Sequence, residues 1–295
     1  MKKRATKRRI KSSRKRKSLL KKYEKYDRML DRISRKMIKA FMVEVSNTVL
    51  PRVLDLSKIE DQQKSKILQD NDTLLTLESL ISLAGAVSFG QFNERELREL
   101  VEPIFMQMGK EYSQDIARTM LSANPDVLIE PRISESLMDT LKRSTNETVK
   151  YLLETQQTAI IGTQKTIGQG IEAGLRWEEI AQKIAPKIEA DAYRTAWNRA
   201  KFVARNEVST ALGEISKTQQ EDAGIELYEW QTSEDERVRD THRNLNGKIF
   251  SWNGIVTVNG TTYSPASDPN YNGGSDTIPG QPWQCRCVAL PYFPD

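Results

Sequence analysis

The sequence holds few of the residues that most enzymes use for chemistry. Its 295 residues include two cysteines and one histidine. Two cysteines cannot build the disulfide framework of a small secreted domain, and catalysis by a histidine acid or base would have to use His242. A nucleophile elbow, a P-loop, a dinucleotide fingerprint and a His-Glu-x-x-His zinc helix are also absent. These absences exclude the enzyme classes that depend on those motifs.

Long apolar runs are scarce as well. The longest, around residues 80–90, is too short to cross a bilayer. The N-terminal segment is basic, but the apolar stretch of a signal peptide does not follow it. We therefore expect a soluble protein that is made in the cytoplasm and does not enter a membrane.

Acidic residues are missing from positions 1–22, which carry thirteen Lys and Arg. The first forty residues hold 19 basic and 3 acidic side chains, and the rest of the chain holds 26 basic and 37 acidic ones. A basic arm is thus attached to an acidic body. Mutual repulsion should keep this arm, residues 1–22, disordered when it is free.

The basic arm is expected to bind a polyanion, either DNA without sequence preference or an acidic protein surface. The alternative is a solvated tail that only raises solubility, but so many unopposed charges exceed what solubility requires. The side chains expected to contact DNA phosphates are Lys2, Lys3, Arg4, Lys7, Arg8, Arg9, Lys11, Arg14, Lys15, Arg16 and Lys17.

Apolar residues between 18 and 220 recur at the three-and-four spacing of a helical face, which predicts one helix after another. The predicted interruptions are near Pro51, at 71–72, at 122–127 and at 130–133, and at Gly162, Gly168, Gly170 and Gly174. A short helix is predicted within 177–188, ending before Pro186. A long helix is predicted over 190–224, with Gly224 as its C-terminal cap.

The pattern changes after residue 224. Residues 225–240 are typical of a strand and its exit, and 248–265 contain two Asn-Gly turn signals around the β-branched run "IVTV". A polar loop, 266–282, precedes the cysteines. The fold class predicted is α+β: a long, mostly helical N-terminal region followed by a small α+β C-terminal domain with a short antiparallel sheet. The expected division is a basic arm (1–22), a helical arm (23–155) and a C-terminal domain (156–295).

The cysteines and the histidine suggest a metal site. Cys285 and Cys287 are one residue apart in "PWQCRCVALP", and thiolate, imidazole and carboxylate are all zinc donors. The candidate ligands are Asp235, His242, Cys285 and Cys287. The alternative is a pair of small buried side chains beside a hydrogen-bonded histidine. A disulfide between cysteines this close would be strained.

A second group of charged residues lies in "DERVRDTH", residues 235–242. If this stretch is extended, Asp235, Arg237 and Arg239 share one strand face. Such a row could bind phosphate, or Arg237 and Arg239 could form a structural ion-pair cluster with Arg205 and Glu207. Arg205 and Glu207 are two apart on a predicted helix and face different directions, so they should not pair with each other.

Taken together and in order, these residues resemble a known family. The sequence is similar to the phage Mu F-like head-morphogenesis family over roughly 160–291, and most densely after 203. Its matching positions are Arg205, Glu207, Trp230, Asp235, Arg237, Arg239, His242, Gly247, Pro279, Gly280, Pro282, Cys285, Cys287 and Pro291. Two positions depart from the family pattern: Asn206 stands where Thr or Ser is usual, and Gln284 where Asn is usual.

The resemblance implies a minor capsid protein of a tailed phage, made in the host cytoplasm and placed in the capsid interior. It implies attachment to the portal, contacts with scaffolding or major capsid protein, and a role in head assembly. In some relatives the protein leaves with the DNA. It does not imply a settled enzymatic activity.

The resemblance also bears on the cysteines, because they recur with the histidine in the family as one constellation. One structural zinc is the cofactor that this constellation favours, since it would stabilise a domain with a thin core. The competing hypothesis is a metal-dependent enzyme acting on nucleic acid or protein. Four protein ligands and no separate general base favour the structural role.

Overall fold

The structure is a computed structural model that describes the backbone of residues 2–67, 71–123, 131–187, 190–268 and 278–294. The side chains of residues 2–19, 23, 57–67, 71–72 and 123 lie outside this description. The helices are α1 (Lys2–Ile67), α2 (Asn71–Gly90), α3 (Glu94–Ala123), α4 (Glu135–Glu172), α5 (Trp177–Ile184), α6 (Asp191–Asp222) and α7 (Asp240–Leu245). The strands are β1 (Leu227–Gln231), β2 (Ile249–Ser251), β3 (Val256–Val258), β4 (Thr261–Tyr263) and β5 (Val288–Pro291). The predicted α+β class is confirmed, with helices first and small antiparallel sheets after them.

Helix α1 is longer than the sequence predicts. It runs through Pro51, so the predicted interruption there is wrong. Val45, Val49 and Val53 are fully buried on one face on both sides of the proline. A proline inside a helix removes one backbone hydrogen bond and crowds the preceding turn, but continuous burial of this face stabilises the helix across that point.

The backbone of residues 2–22 belongs to α1, although the sequence predicts a disordered arm. Lys and Arg have good helix propensity, and this segment lacks Gly and Pro, so its local preferences allow a helix. Disorder of the free arm in solution stays a prediction. The side chains of the eleven predicted phosphate contacts lie outside the described residues.

Helix α2 contains a window, Thr73–Gly90, that is long and apolar enough to cross a membrane by length and composition alone. The sequence predicts that the apolar run is too short to cross a bilayer, and the length of this helix shows that prediction to be wrong. A helix in the core of a soluble protein has the same composition, and Leu77, Ile81 and Phe89 of this helix are buried. Phe89 stacks on Phe41 with 5.1 Å between ring centroids. These contacts pack one face of α2, and 33% of the apolar window is buried.

Three of the four glycines predicted to interrupt the chain lie inside α4 instead. Two of them allow close helix packing. A Cβ on Gly162 would lie 2.7 Å from the carbonyl oxygen of Ala192, and one on Gly170 would lie 2.7 Å from Ile180. Only the fourth, Gly174, has a positive φ, at 67°, and it follows the end of the helix.

The chain forms two compact units that are discontinuous in sequence. Unit 1 comprises 1–29, 102–146 and 204–295, and unit 2 comprises 30–101 and 147–203. Helices α1, α3, α4 and α6 each contribute residues to both units. The predicted linear division at 22 and 155 stays a prediction about functional parts of the chain.

Unit 1 contains the small sheets. In the larger one β1 is central and antiparallel to β2 and β5, with Tyr228 opposite Phe250 and Trp230 opposite Ala289. The hairpin of β3 and β4 turns at Asn259 and Gly260, which both have positive φ (50° and 76°). The predicted Asn-Gly turn is thus confirmed.

Helix α6 packs against the larger sheet of unit 1. Gln220 donates to the carbonyl oxygen of Ala289 at 3.1 Å and accepts a hydrogen bond from the Trp252 indole at 3.2 Å. The helix ends as predicted at Gly224, whose φ is 69°, and the Ile225 amide donates back to the Gln220 carbonyl at 2.8 Å. This packing fixes the sheet edge that carries the site.

Candidate metal centre

Two segments flanking β1 supply the donor side chains of the candidate site. His242 lies on α7, which follows β1 after a short turn, and Cys285 and Cys287 lie just before β5. Because β5 pairs with β1, the cysteine segment runs back beside the strand that leads to α7. Trp230 on β1 packs edge-on against the His242 ring, with 5.6 Å between ring centroids. The fold therefore brings the histidine and both cysteines together.

The three donor atoms lie at distances that suit a shared ion. His242 Nδ1 is 3.5 Å from Cys285 Sγ and 3.4 Å from Cys287 Sγ. All three donor atoms lie within 4.8 Å of one another. Zinc–sulfur bonds of about 2.3 Å and zinc–nitrogen bonds of about 2.0–2.1 Å place tetrahedral ligand atoms roughly 3–4 Å apart. The two histidine–sulfur distances fit that range.

The donor residues sit in an apolar environment. His242, Cys285 and Cys287 are 2%, 4% and 3% exposed, and both cysteines are free thiols in the aromatic core that contains Trp230 and Phe250. Buried thiols in such a core can be ordinary packing residues. Three side chains of types that bind metals converge there, and an apolar shell would strengthen the attraction of thiolates to a cation.

The electrostatics of the cluster favour a thiolate. A hydrogen bond from Cys287 is the main cause that lowers the pKa of the Cys285 thiol, and His242 lowers it further, although burial opposes both. A thiol with a lowered pKa loses its proton more readily, and the resulting thiolate is the form that binds metals. The cluster therefore has the protonation chemistry of a ligand set.

Asp235, the fourth predicted ligand, lies outside the group of donor atoms. Its carboxylate pairs with Arg286 and accepts a hydrogen bond from the Arg237 amide at 3.1 Å. The stretch that carries it is a turn and not a strand, because Glu234 has a positive φ of 56° and Val238 donates to the Asp235 carbonyl at 3.2 Å. The predicted strand face is thus wrong, and the turn directs Asp235 toward arginine.

The arginines of the predicted ion-pair cluster have several partners. Arg205 pairs with Asp27 at 3.6 Å, Arg237 pairs with Asp235 at 3.7 Å, and Arg239 donates to the carbonyl oxygen of Trp283 at 2.6 Å. Glu207 is 8% exposed and accepts a hydrogen bond from Asn206 at 3.2 Å. Its predicted pairing with Arg237 or Arg239 stays a prediction.

A cavity of about 300 Å³ adjoins the candidate site within unit 1. Its lining includes His242 and both cysteines, together with Asp235, Asp27 and Glu24. Four arginines and the exposed Trp283 also line it: Arg205, Arg237, Arg239 and Arg286. The cavity combines metal-binding side chains with guanidinium groups, which suits an anionic ligand.

Several residues that line this cavity carry no signal of that role in the sequence. Arg286 stands between the cysteines in "CRC", and alternation along an extended segment would place its side chain opposite the sulfurs. It nevertheless lines the same cavity as both cysteines, so the spacing gives no signal for it. No local pattern indicates Asp27, which comes from α1, or Trp283. Only the tertiary fold brings them to the cavity.

Comparisons with known proteins give one relative and one family. A curated protein of Haemophilus influenzae, described as an uncharacterized protein, is 25% identical to this chain over 162 residues. The match covers 55% of this chain and 31% of the relative, so the chain spans less than a third of that protein's length. No solved structure matches the chain. Residues 162–290 match the family described as Phage Mu protein F like protein, so the resemblance predicted from the sequence is confirmed over this part of the chain.

Proposed function

We propose that this protein is a minor capsid protein of a tailed phage, bound to the portal inside the procapsid and active in head assembly. The observation that carries the proposal is the family match over 162–290. The match includes α6, the sheet of unit 1 and all three donor residues of the candidate metal centre. A structural role in the virion also agrees with a chain that lacks the common catalytic motifs.

The charge distribution supports a place beside packaged DNA. The basic arm carries thirteen positive charges and the rest of the chain is acidic. A polyanion can hold the arm, while repulsion keeps the acidic body away from DNA and available to proteins. The proposed protein partners are the portal first, and then scaffolding or major capsid protein. Delivery of the protein with the DNA is part of the proposal.

The test of the proposal first asks whether the genome that encodes this chain also encodes a portal protein, which then serves as the partner. The two proteins are co-expressed and separated by size exclusion, and purified virions are analysed by quantitative mass spectrometry. We expect co-elution with the portal and a low, fixed copy number per virion. A variant lacking residues 1–22 should still co-elute, because the contact is proposed to involve the helical region, about 18–200. Absence of the chain from virions would contradict the proposal.

We further propose that His242, Cys285 and Cys287 hold one zinc ion that stabilises unit 1. The supporting observation is the pair of 3.4–3.5 Å distances from His242 Nδ1 to the two sulfurs. Metal analysis of the purified protein should give about one zinc per chain. A Cys285→Ser, Cys287→Ser double variant should give none, whereas Ser209→Ala, which changes a buried residue on α6, should retain the full content.

A metal-dependent enzyme remains the second candidate function. One observation favours it: three donor residues, and not four, share a cavity with Asp235, a carboxylate that could act as a base once it leaves Arg286. The sequence argument for a closed structural site therefore loses its main support. Hydrolysis of nucleic acid or of peptide by the zinc-loaded protein, abolished in Asp235→Asn with zinc content unchanged, would establish this function.

A further inference from the structure

We propose that the metal has three protein ligands and that its fourth position opens into the adjoining cavity, where it takes an exchangeable phosphate group. This inference rests on the proposed zinc site and goes beyond it. A tetrahedral zinc needs four ligands, and catalytic zinc sites keep one of the four open to water or substrate. The described donor atoms of the cluster number three.

Three carboxylates line the cavity: arginine pairs with Asp235 and Asp27, and the exposed Glu24 lies outside the group of donor atoms. Asp235 is held by Arg286 and by the Arg237 amide within its own turn. Asp27 pairs with Arg205 at 3.6 Å. A carboxylate that leaves an arginine for the metal would leave a guanidinium without its partner, which costs free energy in a partly buried site. The fourth ligand is therefore expected to come from outside the chain.

The open side of the cluster faces the cavity, because all three donor residues line it. The apolar core closes the other side, where Trp230 packs on the His242 ring. An incoming ligand thus reaches the metal through a space of about 300 Å³, which is large enough for a phosphate group with part of its ester. The charged side chains that line the cavity also determine which charge this ligand should carry.

Guanidinium groups make the cavity suited to phosphate. Four arginines line it, and their planar forks match the oxygens of a phosphate in bidentate fashion. Three of the four have carboxylate partners, whereas Arg239 donates to the neutral carbonyl oxygen of Trp283 at 2.6 Å. A phosphate oxygen would be a stronger acceptor than that carbonyl. Arg239 is therefore the side chain expected to hold the ligand against the metal.

The experiment replaces zinc with cobalt(II) in the full chain and follows visible absorption as inorganic phosphate is added. Thiolate-to-cobalt bands report metal bound to the cysteines, and ligand-field bands report a change of the fourth ligand. We expect phosphate to shift the ligand-field bands saturably, with acetate weaker. Arg239→Gln should weaken the phosphate effect by about tenfold or more, since it removes a charge-assisted hydrogen bond. Arg143→Gln changes an arginine that pairs with Glu214 away from the cavity and should leave the effect unchanged.

Each of the other outcomes would overturn the inference. A tetrahedral spectrum that does not respond to phosphate would show a closed site, and a spectral change in Asp235→Asn without phosphate would identify Asp235 as the fourth ligand. An equal response to acetate would remove the phosphate preference. If no cobalt binds, the proposed zinc site itself is wrong. If cobalt binds but does not respond to phosphate, only the proposed open position is wrong.

Discussion

The Asn206 side chain accepts a hydrogen bond from the backbone amide of Gln284, with 3.1 Å between Oδ1 and N. These are the two positions at which the sequence departs from the family pattern. Gln284 has a positive φ of 57° and directly precedes Cys285. A side chain on α6 thus satisfies the amide of the turn that presents the first cysteine. The two departures are neighbours in space and affect the same part of the candidate site.

The backbone of Gln284 predicts a stabilising substitution. The left-handed region raises the conformational free energy of a residue with a branched or long side chain by roughly 1–2 kcal/mol. The increase is smaller for Asn, because its short side chain forms local hydrogen bonds. We expect Gln284→Asn to raise the free energy of unfolding by about 0.5–1 kcal/mol. Denaturant unfolding measures the change, with Gln281→Asn as the control because Gln281 lacks the positive φ. Equal effects of the two substitutions would contradict the prediction.

A second prediction concerns the approach of the Pro279–Gly280 turn to α6. A Cβ on Gly213 would lie 2.4 Å from the carbonyl oxygen of Pro279, and both groups belong to backbone that cannot easily move. We expect Gly213→Ala to destabilise the protein by about 1–3 kcal/mol, as overpacking does. Gly168→Ala in α4 is the matched control, because a Cβ there meets nothing within 4 Å.

The control should behave in the opposite way. Alanine has a higher helix propensity than glycine by about 1 kcal/mol, so Gly168→Ala should leave stability unchanged or raise it. Thermal unfolding of the three proteins under one set of conditions makes the comparison. If Gly213→Ala were as stable as the parent chain, the close approach of the turn to α6 would be wrong.

Features of the fold that depend on local chemistry were predictable from the sequence. Gly224 ends α6 and Asn259-Gly260 turns the hairpin, because each position needs a backbone conformation that few residues adopt. Pro51 and Gly162 misled the prediction for the opposite reason. Both are poor helix residues, but burial around Pro51 and the contact of Gly162 with Ala192 outweigh their propensities.

The candidate site was predictable in its donor atoms and not in its surroundings. The scarcity of Cys and His drew attention to His242, Cys285 and Cys287, and the fold brings them together. Asp235 was misplaced because the positive φ of Glu234 turns the chain there, and nothing in the local sequence signals that turn. The discontinuous units were hidden as well, since α1, α3, α4 and α6 each contribute to both.

Removal of the metal provides a third prediction. Binding to the folded chain alone stabilises it, by about 2.7 kcal/mol when free metal is 100 times its dissociation constant. We expect a strong chelator to lower the unfolding temperature of the parent chain, and added zinc to restore it. The Cys285→Ser, Cys287→Ser variant should unfold at one temperature with or without chelator. A chelator effect of equal size in that variant would show that the metal binds elsewhere.

The acid dependence of unit 2 gives a fourth prediction. Lys183 donates a hydrogen bond to Asp191 at 2.9 Å, and this contact, aided by Arg194, lowers the pKa of the carboxyl below its usual value. A lowered folded-state pKa stabilises the protein above the unfolded pKa of about 3.9, and the contribution disappears as the pH falls through the folded value. Asp191→Asn should therefore lower the free energy of unfolding by less than about 1 kcal/mol at pH 7, because the pair is partly exposed. In strong acid the substitution should have no effect on the free energy of unfolding.

The Lys183→Met background supplies the control for this pair. There the carboxyl lacks its main partner, so Asp191→Asn should cost less at pH 7 than it does in the parent chain. Denaturant unfolding is measured between pH 2.5 and 7, at steps of about 0.5 pH unit, for the parent chain, the two single variants and the double variant. A cost of Asp191→Asn that is independent of pH would mean that the ion pair does not contribute to stability.

The basic arm provides the last prediction. We expect residues 1–22 to bind duplex DNA without sequence preference, because they hold thirteen positive charges and no negative one. Each phosphate neutralised on B-DNA adds about −0.9 to the slope of log affinity against log salt concentration. Deletion of 1–22 should remove most of the binding and flatten this slope. A variant that keeps the length but replaces the eleven Lys and Arg between positions 2 and 17 by Gln should behave like the deletion. Unchanged affinity and slope in both variants would place DNA binding outside the arm.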